Sequence, residues 1–224
     1  VYARPAAPVI QREKPDMEEI KRTSIDPQSR YYFPKLMKMF QAEDTLMNLD
    51  QFRHLYLGYI FQEDYDPYRR SPYTTRVEEL YTRDQHTHAE CDTIIHYAEL
   101  SLKDDPFDLR QMSFLIYAYR EKKKTHMANI MQYKFNRLIE AIVSTGTGLD
   151  EENAWIVNNP QHEYNLMNFQ GYRVDSQEDV EPYYDLINAT PDTNSSESEN
   201  ESKSFYFNVM YVLTEYNRKH PEQH

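Results

Sequence analysis

The sequence predicts an α+β protein, with helical hairpins up to about residue 148 and a small C-terminal antiparallel β-sheet after it. Three observations predict this. Up to Ser144, apolar residues recur at helical spacing, as in Met127, Met131, Phe135, Leu138 and Ile142. After Gly148 the chain changes to short runs rich in Tyr, Val, Ile and Phe, separated by Asn, Pro, Asp and Ser. Helices first and strands last is the order in which a sheet packs on a preceding helix, and not the alternation of a parallel α/β fold.

Residues 1–14 mix Pro, Ala and charge without period and read as a flexible tail. Residues 15–218 read as one α+β domain, helical over 15–148 and β-rich over 149–218. A short helix is expected over Met17–Thr23, and another over Pro34–Phe40, with the proline in its first turn. Leu49–Gln62 has a specified start: Asn48 caps, Gln51 completes a capping box, and Met47 with Phe52 makes a hydrophobic staple. Glu63–Arg76 holds two prolines and reads as a long ordered loop. Val77–Tyr81 and Gln85–Leu102 follow as helices. Asp105 is read as the cap of the next, which has Pro106 in its first turn and ends near Lys122. Thr125–Ser144 is the longest helix, with Gly146 placed to end it in a left-handed conformation. Strands are expected at Ala154–Val157, Tyr172–Val174, Tyr183–Asn188 and Ser204–Val212, while Gln161–Phe169 fits strand or helix. Thr190–Lys203, rich in Ser, Asn and Glu, reads as a mobile hairpin loop.

The helical part carries about half of a tetratricopeptide pattern. Met112, Leu115, Ile116 and Tyr119 fall on its first-helix positions, and Ala128 on the alanine of its second helix. Leu57-Gly58-x-x-Phe61 echoes the same core, and small Gly58 lets a partner helix approach closely. Leu57 and Leu115 lie 58 residues apart, against about 34 in a regular array, so the pattern predicts tetratricopeptide-like hairpins in an irregular, closed domain.

Composition narrows the function. The net charge is −12, with acid spread along the chain and Lys122-Lys123-Lys124 as the longest basic run, which excludes a nucleic-acid footprint. Four glycines, Gly58, Gly146, Gly148 and Gly171, cannot build a phosphate-cradling loop. No stretch approaches the roughly 20 apolar residues of a membrane span. Cys91 is alone, so no intrachain disulfide forms. Val1-Tyr2-Ala3 fits either the tail of a secretory cleavage site or an arbitrary boundary.

The run Leu55-Tyr56-Leu57-Gly58-Tyr59-Ile60-Phe61-Gln62, followed by Tyr65-x-Pro67-Tyr68, resembles domain-of-unknown-function family 4919. So do Pro106-Phe107-Asp108-Leu109-Arg110, Leu115-Ile116-Tyr117-Ala118-Tyr119, His162-Glu163-Tyr164 and Phe205-Tyr206-Phe207-Asn208. The resemblance spans roughly residues 30 to 212 and implies one folded unit, bacterial and preceded by a secretory signal. A secreted or periplasmic protein is therefore expected. It supplies no catalytic residue.

Three groups of residues are candidates for function. Tyr65, Tyr68, Arg69, Arg70, Tyr73 and Arg76 concentrate rigid aromatic area and planar cations in one loop, suited to a protein, peptide or glycan partner. The alternative is that the tyrosines pin the loop while the arginines offset nearby acid. His88, Asp92 and His96 share a helical face at i, i+4, i+8 and are weak metal candidates against solvated surface histidines. Cys91 lies on an apolar face and reads as an inert thiol. Sequons at Asn188, Asn194 and Asn200 are expected on exposed chain. No cofactor is expected. A non-catalytic binding module of the cell envelope is the reading, with a hydrolase whose site carries no known motif as the alternative.

Overall fold

The structure is a computed structural model that describes residues 11–42, 46–192 and 201–223. Its helices are α1 (Met17–Ile25), α2 (Phe33–Gln41), α3 (Leu49–Gly58), α4 (Thr74–Leu80), α5 (His88–Asp104), α6 (Leu109–Glu121), α7 (Thr125–Val143), α8 (Gln161–Phe169) and α9 (Met210–Lys219). Its strands are β1 (Trp155–Ile156), β2 (Tyr172–Val180), β3 (Tyr184–Pro191) and β4 (Lys203–Asn208). The α+β class holds.

Local chemistry sets the helix starts. Asn48 accepts from the Gln51 amide while the Gln51 side chain accepts from the Asn48 amide, closing the expected capping box of α3. Thr87 and Glu90 make the same reciprocal pair at α5. Asp105 does not cap α6; Asp108 does, by accepting from Gln111 N at 3.0 Å, and Asp105 closes the end of α5. Pro106 therefore lies in the connection and not in the first turn. At the other end of α6, Lys123 takes φ +57, and Lys124 N reaches back to Tyr119 O, a Schellman closure without glycine.

Gly146 is not the left-handed terminator of α7; positive φ falls at Gly148 and Gly171. What Gly146 permits is close approach, since a Cβ there would lie 2.3 Å from Asn153 O. At Gly58 the expectation of a close helix contact holds: a Cβ would sit 3.1 Å from Ser24 Cβ of α1.

The sheet is mixed, with order β1-β4-β3-β2. β2, β3 and β4 form the expected antiparallel part, but β1 pairs parallel to β4, Trp155 opposite Phe207. A purely antiparallel sheet is thus corrected: β1 is only two residues long and enters from α7, on the side away from the β2–β3 hairpin. Gln161–Phe169 is helix. The run Ser204–Val212 divides into β4 and the start of α9, because Asn208 Oδ1 accepts from Met210 N and turns the chain. β2 extends through Asp175–Asp179, polar residues held in strand by the ladder to β3. Residues 193–200, most of the acidic loop, and the sequons at Asn194 and Asn200 lie outside the described residues. Asn188 lies inside β3, where its amide donates to Ser176 Oγ.

Two apolar cores result. One joins α1, α2, α3, α7 and α8 to the inner face of the sheet, with Ile187, Ala189, Phe205 and Phe207 in the same cluster as Leu138, Ile139 and Ile142 of α7. The other joins α4, α5, α6 and the start of α7 around Val77, Ile94, Leu115 and Ala128. Glu13, within the expected tail, is tied to the domain: its N–H donates to Ser144 O, and its carbonyl accepts from Arg53.

Candidate functional site

The loop that precedes α4 is fixed at several points. Tyr65 is 2% exposed, and its hydroxyl donates to Asn158 O, so it is an anchor and not a contact surface. Lys219 of α9 donates to Gln62 O at 2.6 Å and to Tyr65 O at 3.1 Å, over the Tyr65 ring. Arg69 donates to the carbonyls of Asp64 and Asp104, and Ser71 Oγ donates to Asp104 Oδ2 at 2.6 Å. Arg70 pairs with Glu78 Oε2 at 2.8 Å, and Arg110 of α6 approaches the same carboxylate at 3.8 Å.

Tyr68 stays 56% exposed, its edge against Tyr216 of α9. Tyr73 is 36% exposed and stacked on Tyr97 of α5, with Arg76 over the same ring. The loop therefore mixes both roles read from sequence: Tyr65 pins, while Tyr68 faces outward from a braced backbone.

Beside this loop lies a groove of about 990 Å³. Pro67, Tyr68, Arg69 and Arg70 form one wall, with Thr74 and Glu78 of α4. Arg110, Ser113 and Phe114 of α6 form the floor with Gln132 and Phe135 of α7. Gln161, Tyr164, Asn165, Asn168 and Phe169 of α8 form the opposite wall. Their spacing, i, i+3, i+4, i+7, i+8, places them along one side of the helix. Phe169 is 50% exposed and rests on Phe135. Sequence reasoning found the loop wall but not the α8 wall, because a polar face on a short helix looks solvated.

Asp105 and Asp108 line the groove where α5 meets α6. Burial, reinforced by the Asp108 charge, pushes the Asp105 carboxyl up to about 7, against the Phe107 N–H and Arg69, which favour its ionised form. Burial also raises Asp108, and the amides of Gln111 and Arg110 oppose it. His162 lies deeper. Its Nδ1 meets the Tyr56 hydroxyl at 2.7 Å and its ring also bonds the Phe107 backbone, so burial holds it neutral, lowered to about 4. Tyr56 in turn accepts from Asn158 N at 3.0 Å, which joins α3, the connection after β1, and α8 through one buried network.

Glu163 is the other unforeseen group. It is 1% exposed, and one carboxyl oxygen has no partner among the described residues. Burial, then the Asp185 charge and a hydrogen bond with Asp185, raises it to about 10. It is therefore a neutral acid at pH 7, donating to Asp185 of β3. Asp179 of β2 stands on the same face of the sheet, held by Gln177 at 2.9 Å.

His88, Asp92 and His96 lie exposed along α5, and Asp92 is paired with Lys122 at 3.2 Å. Among the described residues no three His, Cys, Asp or Glu side chains converge as metal ligands. Cys91 is buried, and burial pushes its thiol up, away from reactivity. No helix among the described residues is long and apolar enough to cross a membrane.

Fold and groove together define a helical α+β scaffold that presents an open, polar and aromatic cleft between a braced loop and a short helix. The family model of a domain of unknown function, DUF4919, matches residues 18–218, and the chain belongs to that family. No curated protein and no solved structure matches it.

Proposed function

We propose that the chain is a non-catalytic binding module of the cell envelope, whose ligand lies in the groove between the Tyr68–Arg70 loop and α8. The observation that carries this reading is how the lining groups are disposed. The groove carboxylates already serve the backbone, Asp105 accepting from Phe107 N and Asp108 from Gln111 N. Tyr68 and Phe169, by contrast, expose half or more of their surface. Exposed aromatic area beside planar cations on a rigid frame is what a contact surface needs. The envelope location rests on the family resemblance alone.

A pull-down from envelope extract tests the reading. The Tyr68→Ala/Arg70→Ala double variant is expected to lose the partner that the parent retains, at unchanged melting temperature. An unchanged partner set removes the loop from the binding surface.

One observation favours the hydrolase alternative: Asp105 titrates near neutrality beside Asp108 in a cleft, as a general acid or base would. Under that reading, turnover of chromogenic ester, peptide and glycoside substrates falls at least a hundredfold in Asp105→Asn. Under the binding reading the parent turns over none of them.

A further inference from the structure

Resting on the binding reading, we propose that the groove takes a neutral oligosaccharide chain, with the amides of α8 reading its hydroxyls and Tyr68 and Phe169 stacking on its sugar faces. Charge balance is the first support. The protein carries −12 overall, yet the lining sets Arg69, Arg70 and Arg110 against Glu78, Asp108 and a partly ionised Asp105, which leaves the groove close to neutral. Arg70 and Arg110 share Glu78, which further reduces any net attraction for an anion. A strongly acidic or basic ligand gains little here.

The second support is the α8 wall. Gln161, Asn165 and Asn168 present side-chain amides along one side of the helix, and none of these three amide groups bonds another described side chain; Gln161 meets the Asn159 side chain through its backbone N–H only. Each amide is a planar group with donors and an acceptor together, the combination that matches adjacent hydroxyls. Gln161 to Asn165 advances about 6 Å and Asn165 to Asn168 about 4.5 Å, on either side of the length of one pyranose unit, so successive amides meet successive sugars. Aromatic plates complete the site, Tyr68 on the loop wall and Phe169 on the α8 wall, both largely open. A volume of about 990 Å³ holds several sugar rings and far exceeds the needs of one.

A peptide fits less well. An extended peptide is held by a strand edge and a helical one by an apolar stripe. The groove is built from helices and a loop; its floor rings Phe114 and Phe135 are buried, which leaves Arg110, Ser113 and half-buried Gln132 at the surface and no open apolar stripe there.

Titration calorimetry tests the proposal with hexasaccharides of glucose, mannose, galactose, xylose and N-acetylglucosamine. Polygalacturonate and a neutral peptide of equal length serve as controls. At least one neutral hexasaccharide is expected to bind saturably. Asn168→Ala and Phe169→Ala, exposed positions that spare the core, are each expected to weaken it about tenfold, or 1.4 kcal/mol. The proposal is overturned if no neutral hexasaccharide binds below ~10 mM, a free energy weaker than about −3 kcal/mol. It is equally overturned if these two variants leave binding unchanged. Peptide binding that Tyr68→Ala abolishes would change the ligand class and keep the binding module. Loss of every groove ligand together with an unchanged pull-down would remove both.

Discussion

At pH 9 the Glu163→Gln protein is expected to melt well above the parent, while near pH 5 the two melt almost together. Glu163 is buried against the sheet with its carboxyl raised from 4.5 to about 10. Folding therefore takes up a proton at this site throughout that window. The sign follows from linkage. The stability of a group with a raised folded pKa is complete below its unfolded value and is lost as pH climbs towards its folded one. Each pH unit inside the window is worth at most about 1.4 kcal/mol, so the loss at pH 9 amounts to several kcal/mol. Glutamine keeps a donor for Asp185 and has no proton to lose, so it removes the slope. Asp185 and Asp105, also raised, act with the same sign in both proteins. His162 acts oppositely: lowered from 6.5 to about 4, it costs stability as pH falls through that interval. The parent should thus be most stable on the weakly acidic side. Melting temperatures of both proteins from pH 4 to 10 check this, and two parallel curves would sink it.

Gly146→Ala is expected to cost on the order of 3–5 kcal/mol, about two to three times as much as Gly171→Ala. The added Cβ would meet Asn153 O at 2.3 Å and Ala154 O at 2.9 Å, both main-chain atoms. Asn153 O cannot retreat cheaply, because it accepts from Thr147 N at 3.0 Å and Gly148 N at 2.8 Å. Overpacking costs about 1–3 kcal/mol and each strained buried hydrogen bond about 1 kcal/mol more. The Gly146 carbonyl also accepts from Trp155 Nε1, so a shift carries into β1. At Gly171, φ is +82 but nothing stands within 4 Å of a Cβ, which leaves only the left-handed conformation, about 1–2 kcal/mol. Urea midpoints compare the two; equal losses would show that the contact at Gly146 relaxes freely.

Features decided within a few residues were legible in the sequence. The Asn48–Gln51 box needs only its own turn, and Met112, Leu115, Ile116, Tyr119 and Ala128 reveal their buried face by spacing. Where two local signals competed, the weaker-looking one won: Pro106 advertised a first turn, yet Asp108 holds the cap. Long-range pairing was invisible. Asp175–Asp179 have poor strand propensity and are strand because β3 lies beside them, and two residues of β1 cannot announce a parallel partner some fifty positions away. The site divides the same way. Tyr68 and Arg70 stood out by composition, whereas Asn165, Asn168 and Phe169 became a wall only once α8 was placed across from the loop. Glu163 reads as an ordinary surface acid until the sheet covers it.

The parallel pairing of β1 with β4 bears on the order in which the chain is made. The last of the described strands to be made, β4, is inserted between one neighbour made some fifty residues earlier and the β2–β3 hairpin. Until it arrives, β1 has no ladder and the inner edge of β3 stands open. α9 follows directly, and its Lys219 fastens the Gln62–Tyr65 backbone. A ribosome-bound chain that stops short of Lys203 thus carries an unsealed sheet and an unfastened loop. In this protein the groove is finished from the C-terminal end backwards.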